Sequence, residues 1–154
     1  MKLAIALLLI VISSISTRAQ NNSFCVVLEK EVHFQKVIAQ FESLYTPLGS
    51  IDLPDSISIG KAWYGSFRPA FLECLKKSNL EWDDTTNVWI DLCCSPTGRI
   101  ERVLYKTRGL SDPKRESIFD EAIESFAKGY VFPITIDKKF SQCGSFRFAP
   151  TKKM

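Results

Sequence analysis

Between Val88 and Cys94 the chain alternates strictly, and this alternation narrows the folds open to it more than any other feature. Val88, Ile90, Leu92 and Cys94 fall on one side; Trp89, Asp91 and Cys93 fall on the other. Successive side chains of an extended chain point to opposite faces, so the period is that of a half-buried strand. Ser95-Pro96-Thr97-Gly98 follows and predicts a hairpin turn. Arg99 to Thr107 is then the partner strand. Its apolar residues Ile100, Val103 and Tyr105 are spaced by three and then two, so one extra residue near Glu101-Arg102, a β-bulge, is needed to put all three on one face.

The rest of the chain reads as helices, a loop and a last strand. Glu29 to Tyr45 repeats Phe34, Val37, Ile38, Phe41, Leu44 and Tyr45 with helical period. Thr46 to Gly60 contains Pro47, Gly49, Pro54 and Gly60 and predicts a loop; its alternating Ile51, Leu53, Ile57 and Ile59 suit a short edge strand broken at Pro54. A second helix is expected from an N-cap at Ser66, with Pro69 in its first turn and Phe71, Leu72, Cys74 and Leu75 on its apolar side. A polar connection with Trp82 leads to the hairpin. Ser111 to Lys128 predicts a third helix, capped by Ser111 or Asp112, with Ile118, Phe119, Ala122, Ile123 and Phe126 buried and Gly129 in a left-handed terminal position. In the last strand, Ser141 to Ala149, Gly144, Phe146 and Phe148 face one way and Cys143, Ser145 and Arg147 the other.

The first residues read as a secretory signal. Lys2 is a positive start, Leu3 to Ile12 is an unbroken apolar run, and Thr17-Arg18-Ala19 is a small-x-small cleavage site, leaving Gln20 as the new terminus. A helix needs ~20 apolar residues to cross the hydrocarbon core, so the membrane is expected to be met only through this signal if it stays uncleaved. The product is expected in the periplasm or outside the cell. The chain carries 20 Lys and Arg against 17 Asp and Glu, and loss of Lys2 and Arg18 brings the two nearly level. Charge therefore makes no case for nucleic acid, and the basic tail is short, Lys152-Lys153.

Five cysteines lie beyond the signal: Cys25, Cys74, Cys93, Cys94 and Cys143. Export favours pairing, and an odd count leaves one over. Cys93 and Cys143 fall on the faces of their strands opposite the apolar residues and are a candidate pair if the strands are neighbours in the right register. Cys74 with Cys94 is a second candidate pair, or either is a buried thiol. With no CxxC and with His33 as the one histidine, no metal site and no cofactor are expected.

Residues 87–149 resemble the C-terminal domain of TonB-like proteins. The resemblance rests on the ordered set Val88-Trp89-Ile90-Asp91-Leu92, Gly98-Arg99-Ile100, Lys106-Thr107-Arg108-Gly109, Asp120-Glu121-Ala122-Ile123, Tyr130-Val131-Phe132-Pro133 and Ser145-Phe146-Arg147-Phe148. It implies an α+β fold: a three-stranded antiparallel sheet in the order second–first–third with helices packed on one face, here preceded by an N-terminal helix and loop. A hairpin followed by a helical crossover gives the same order on physical grounds. The expected divisions are a signal (1–19), a helix and loop packing on the domain (20–65), the TonB-like unit (66–149) and a basic tail (150–154).

In that family the last strand is an edge that engages a short extended segment of outer-membrane receptors. The function expected of this chain is accordingly an exported binding or adaptor module. It would take an extended segment of an envelope or secreted protein by strand addition along Cys143, Gly144, Ser145, Phe146, Arg147 and Phe148. The alternative for this edge is protection by Arg147 and Lys138-Lys139. No Pro-rich spacer follows the signal, so a complete energy transducer is not expected. Alternative functions are a secreted small inhibitor, a structural envelope protein, or an enzyme. Acid–base candidates for an enzyme are His33, Asp91, Glu101 and Asp83-Asp84, scattered without a base beside any cysteine, and no catalytic residue is assigned.

Overall fold

The alternating segment forms the middle strand of a five-stranded mixed sheet. A computed structural model of the protein describes residues 25–28, 39–54 and 57–151. The strands are β1 (Cys25–Leu28), β2 (Thr46–Pro47), β3 (Thr86–Cys94), β4 (Ile100–Arg108) and β5 (Phe140–Phe148). Their order is β1-β4-β3-β5-β2. β3 is antiparallel to both β4 and β5, while β1 runs parallel to β4 and β2 runs parallel to β5. The expected three-stranded antiparallel sheet is therefore corrected: the N-terminal region, read as a helix and loop, also supplies both outer strands. These strands are four and two residues long, too short to show a period of two, and their partners lie far along the chain. The signal and its cleavage site lie outside the described residues, as do residues 29–38 of the first expected helix; residues 39–42 are helical.

The hairpin carries its bulge where the apolar spacing requires one. Cys93 pairs with Arg102 and Cys94 with Ile100, so Glu101 is the extra residue on β4. Ile100, Val103 and Tyr105 are all buried in the main core as a result. In the turn, Gly98 has φ +80°, and a Cβ there would meet the Phe132 carbonyl oxygen at 1.9 Å. The Phe132 N–H donates to the Gly98 carbonyl at 2.8 Å, so the chain leaving the last helix crosses this glycine.

The helical layer begins earlier than the sequence suggests. Lys61–Phe67 is a π-helix that runs directly into α1 (Arg68–Lys77). Pro69 explains the wider turns. Lacking an N–H, and with its ring in the way of the carbonyl four residues back, it disrupts an α-helical ladder. The preceding Arg68 N–H reaches back five residues to the Trp63 carbonyl. Ser66, expected as the N-cap, instead lies inside the helix and shares a 2.8 Å hydrogen bond with the Tyr130 hydroxyl. Helix α2 (Pro113–Gly129) is capped by Asp112, whose carboxylate accepts from the Lys114 N–H at 3.0 Å. Gly129 stays inside α2 with φ below zero, and the extended C-cap is Tyr130, whose N–H still donates to the Phe126 carbonyl. Ile51, Leu53, Ile57 and Ile59 form no strand; they pack at the margin of the core. Pro54 cannot donate to a ladder there.

The main core lies between the helices and the sheet face made by Val88, Ile90, Leu92, Cys94 and Phe146. Phe67, Phe71, Phe119 and Phe132 meet in it, with the Phe67 and Phe71 rings stacked 5.6 Å apart. The opposite face, expected to be free of helix, holds a second small cluster. Phe41 and Tyr45 bury Cys93 and Leu104 there. The Tyr45 hydroxyl and the Lys139 ammonium each donate to the Glu101 carboxylate at 2.8 Å, tying this cover to the bulge.

Candidate functional site

The backbone of β5 defines the candidate site. All nine residues, Phe140 to Phe148, pair with β3 on the inner side. On the outer side β2 covers only Phe140 and Ser141. From Gln142 to Phe148 no strand is paired to that side among the described residues. The Thr46 N–H donates to the Lys139 carbonyl at 3.1 Å, so the backbone groups of Lys139 point outward. Alternation along an unbroken strand then turns those of Ser141, Cys143, Ser145 and Arg147 the same way. The groups of Gln142, Gly144, Phe146 and Phe148 turn inward to β3. The last strand, expected as the edge of the sheet, is therefore not its outermost strand: β2 caps Phe140 and Ser141, and Gln142–Phe148 has no strand on that side among the described residues.

The side chains of this stretch divide by face. Phe146 is buried, and Phe148 stacks on Trp82 with centroids 4.3 Å apart. Gly144 lies beneath Trp63, whose indole carbon Cζ2 would be 2.2 Å from an added Cβ. Cys143, Ser145 and Arg147 are exposed on the opposite face. Arg68, from α1, places its guanidinium 4.9 Å from the Phe146 ring centroid. Trp63 and Arg68 were not singled out from the sequence. The one available signal was the four-residue spacing of Trp63, Phe67 and Phe71, which the misplaced Ser66 cap cut in two.

The cysteine pairing expected between β3 and β5 is corrected by the register. Cys93 pairs with Ser141, and Cys143 pairs with Asp91. Cys93 and Cys143 are diagonal neighbours, a relation that sets residues ~7–8 Å apart, beyond the usual reach of a disulfide. Cys74 and Cys94 are not joined either: the Cys74 thiol lies 3.6 Å from the Ala122 carbonyl, and Cys94 is buried in the main core. All four of these cysteines are free thiols here. Burial pushes the thiols of Cys93, Cys94 and Cys143 up, in the direction that opposes thiolate chemistry.

Asp91 departs most from expectation. A carboxylate on the polar face of a strand is ordinarily exposed, yet Asp91 is half-buried and its Oδ1 atom is shielded from solvent with no hydrogen-bond partner among the described residues. Burial first, and the Glu42 carboxylate second, push it up to about 6. The other acid–base candidates have structural engagements. Glu101 holds Tyr45 and Lys139, Asp83 pairs with Arg115, and Asp84 accepts from the Thr85 N–H at 2.7 Å. His33 lies outside the described residues. Among the described residues, no cluster of His, Cys, Asp and Glu is arranged to hold a metal ion, and no helix is long and apolar enough to cross a membrane.

No protein-family model, no curated protein and no solved structure matches this chain.

Proposed function

We propose that this protein is an exported binding or adaptor module that takes an extended segment of an envelope or secreted protein as an added strand along β5. One observation supports this reading above the others: the backbone groups of Cys143, Ser145 and Arg147 point away from the sheet, and no described strand covers them. An added strand satisfies such groups through main-chain hydrogen bonds, and alternate side chains then select the sequence. The resemblance of residues 87–149 to TonB C-terminal domains points in the same direction, and the signal-like residues 1–19 would deliver the module to its partner.

The test is recovery of partners from an envelope fraction by the wild type, Ser145→Pro and Arg147→Ala. Pro at 145 removes one outward N–H and leaves the inner ladder to β3 in place. Partner recovery that falls for Ser145→Pro and persists for Arg147→Ala supports the proposal. Equal recovery by a folded Ser145→Pro variant removes this edge from the account.

A further inference from the structure

A second feature of the sheet adjoins the β5 edge. At the end of the sheet carrying Asn87, a depression of about 480 Å³ is lined by the cationic Lys106, Arg108 and Arg147, with Asn87 and Trp89 among them, and by Arg68 beside Phe146. The register explains the arrangement. Asn87 pairs with Arg108 on one side and Arg147 on the other, and Trp89 pairs in the same way with Lys106 and Ser145. Directly paired residues share a face, so Arg108 and Arg147 flank Asn87 from adjacent strands. Strands are spaced ~4.8 Å apart, which leaves the two arginines about two spacings apart and within reach of one group held between them.

The charge balance of this depression is unusual for this chain. Basic and acidic residues are nearly equal in number beyond the signal. Elsewhere four carboxylates are matched to cations: Glu73 with Lys77, Glu124 with Lys128, Asp83 with Arg115 and Glu101 with Lys139. No Asp or Glu among the described residues lines the depression. Arg108 and Arg147 are both exposed, and no salt bridge among the described residues engages either. Arg68 is held in place over the Phe146 ring. Holding the Arg108 and Arg147 guanidinium groups on either side of Asn87 costs energy unless an anion offsets it, and guanidinium groups match the paired oxygens of phosphate and sulfate.

We propose that this depression binds a small organic molecule bearing a phosphate or sulfate group. The anion sits between Arg108 and Arg147, Asn87 donates to it, and Trp89 offers an apolar wall to the remainder. The volume exceeds the needs of a bare anion and suits a ligand of sugar-phosphate size. The site shares Ser145 and Arg147 with the β5 edge, whereas Arg108 lies on β4 outside that edge, so Arg108→Gln separates anion binding from strand addition.

The experiment is a titration of the isotopically labelled protein with pyrophosphate, followed by amide chemical shifts, alongside Arg108→Gln, Arg147→Gln and Arg108→Lys. Shifts centred on Asn87, Trp89, Arg108 and Arg147, with affinity falling about tenfold or more for each Gln variant, are the expected result. Arg108→Lys keeps the charge without the fork and falls between. Affinity should also decline as salt is raised. Vesicles of phosphatidylcholine with phosphatidic acid form a second arm. Binding to vesicles alone, lost in both Gln variants, assigns the phosphate to a lipid headgroup. No change at these amides and no vesicle binding, or binding that both Gln variants retain, overturns the proposal.

Discussion

The indole of Trp63 lies directly on the backbone of Gly144, so closely that a single methyl group at position 144 would overlap the ring at 2.2 Å. Trp63 is 3% exposed and wedged among Phe67, Phe132 and Phe146, so it has no open space to move into. Gly144→Ala is expected to destabilise the fold by about 1–3 kcal/mol, the usual cost of overpacking. Urea unfolding measures it. Combining Gly144→Ala with Trp63→Phe should cost less than the two single changes added together, because the smaller ring makes room for the methyl group.

Asp91 should make stability depend on pH in the sense opposite to a salt-bridged carboxylate. Burial and Glu42 raise it to about 6 in the fold, from an ordinary value of 3.8. The folded state therefore keeps a proton that the unfolded state has lost, and stability falls as pH rises between those values. Above that window the loss is complete and amounts to up to about 3 kcal/mol. Asp91→Asn removes the titrating group. The stability of the variant relative to wild type should therefore rise between pH 4 and pH 7, measured by denaturant unfolding at both. A constant difference would show that Asp91 keeps its ordinary value in the fold.

Tyr105 ties the hairpin to the helical layer. It is fully buried on β4, and its hydroxyl donates to the Asp120 carboxylate on α2. Tyr105→Phe keeps the ring and removes the bond, leaving a half-buried carboxylate short of a partner. A loss of about 1.5–3 kcal/mol is expected for a hydrogen bond to a charged group. A change within measurement error in thermal or urea unfolding would mean that water replaces the tyrosine.

Local pattern explains which parts of this fold could be read in advance. Val88 to Cys94 specifies a strand because its alternation needs no distant partner to be seen, and the three-then-two spacing of Ile100, Val103 and Tyr105 places the bulge at Glu101. The outer strands were not legible, since β1 and β2 are too short to show a period and are aligned by strands distant in sequence. Pro69 looks like a residue of a first helical turn; only the structure shows a π-helix running into it from Lys61. Strand phase put Cys93 and Cys143 on one face, but phase cannot distinguish an offset of two, and the register sets Asp91 opposite Cys143. The burial of Asp91 was hidden for a related reason: the residues that bury Cys93 and Leu104 on its side of the sheet, Phe41 and Tyr45, come from much earlier in the chain. The free outer side of β5 was legible in outline, whereas the cap that β2 places on its first two residues was not.

Partner-binding variants should separate backbone reading from charge. Ser145→Pro should reduce recovery of an envelope partner severalfold, in keeping with the loss of one main-chain bond at ~0.5–1.5 kcal/mol, and Arg147→Ala should leave it nearly unchanged. Circular dichroism of each variant confirms that the fold persists.

Amide hydrogen exchange along β5 tests the central claim most directly, and it needs no partner. Gln142, Gly144, Phe146 and Phe148 turn their N–H groups inward to β3, whereas Cys143, Ser145 and Arg147 turn theirs outward beyond the reach of β2. The account predicts an alternating pattern, with slow exchange at the first set and fast exchange at Cys143, Ser145 and Arg147. Uniformly slow exchange across all seven residues would contradict it, because the edge proposed for an incoming strand would then already be filled.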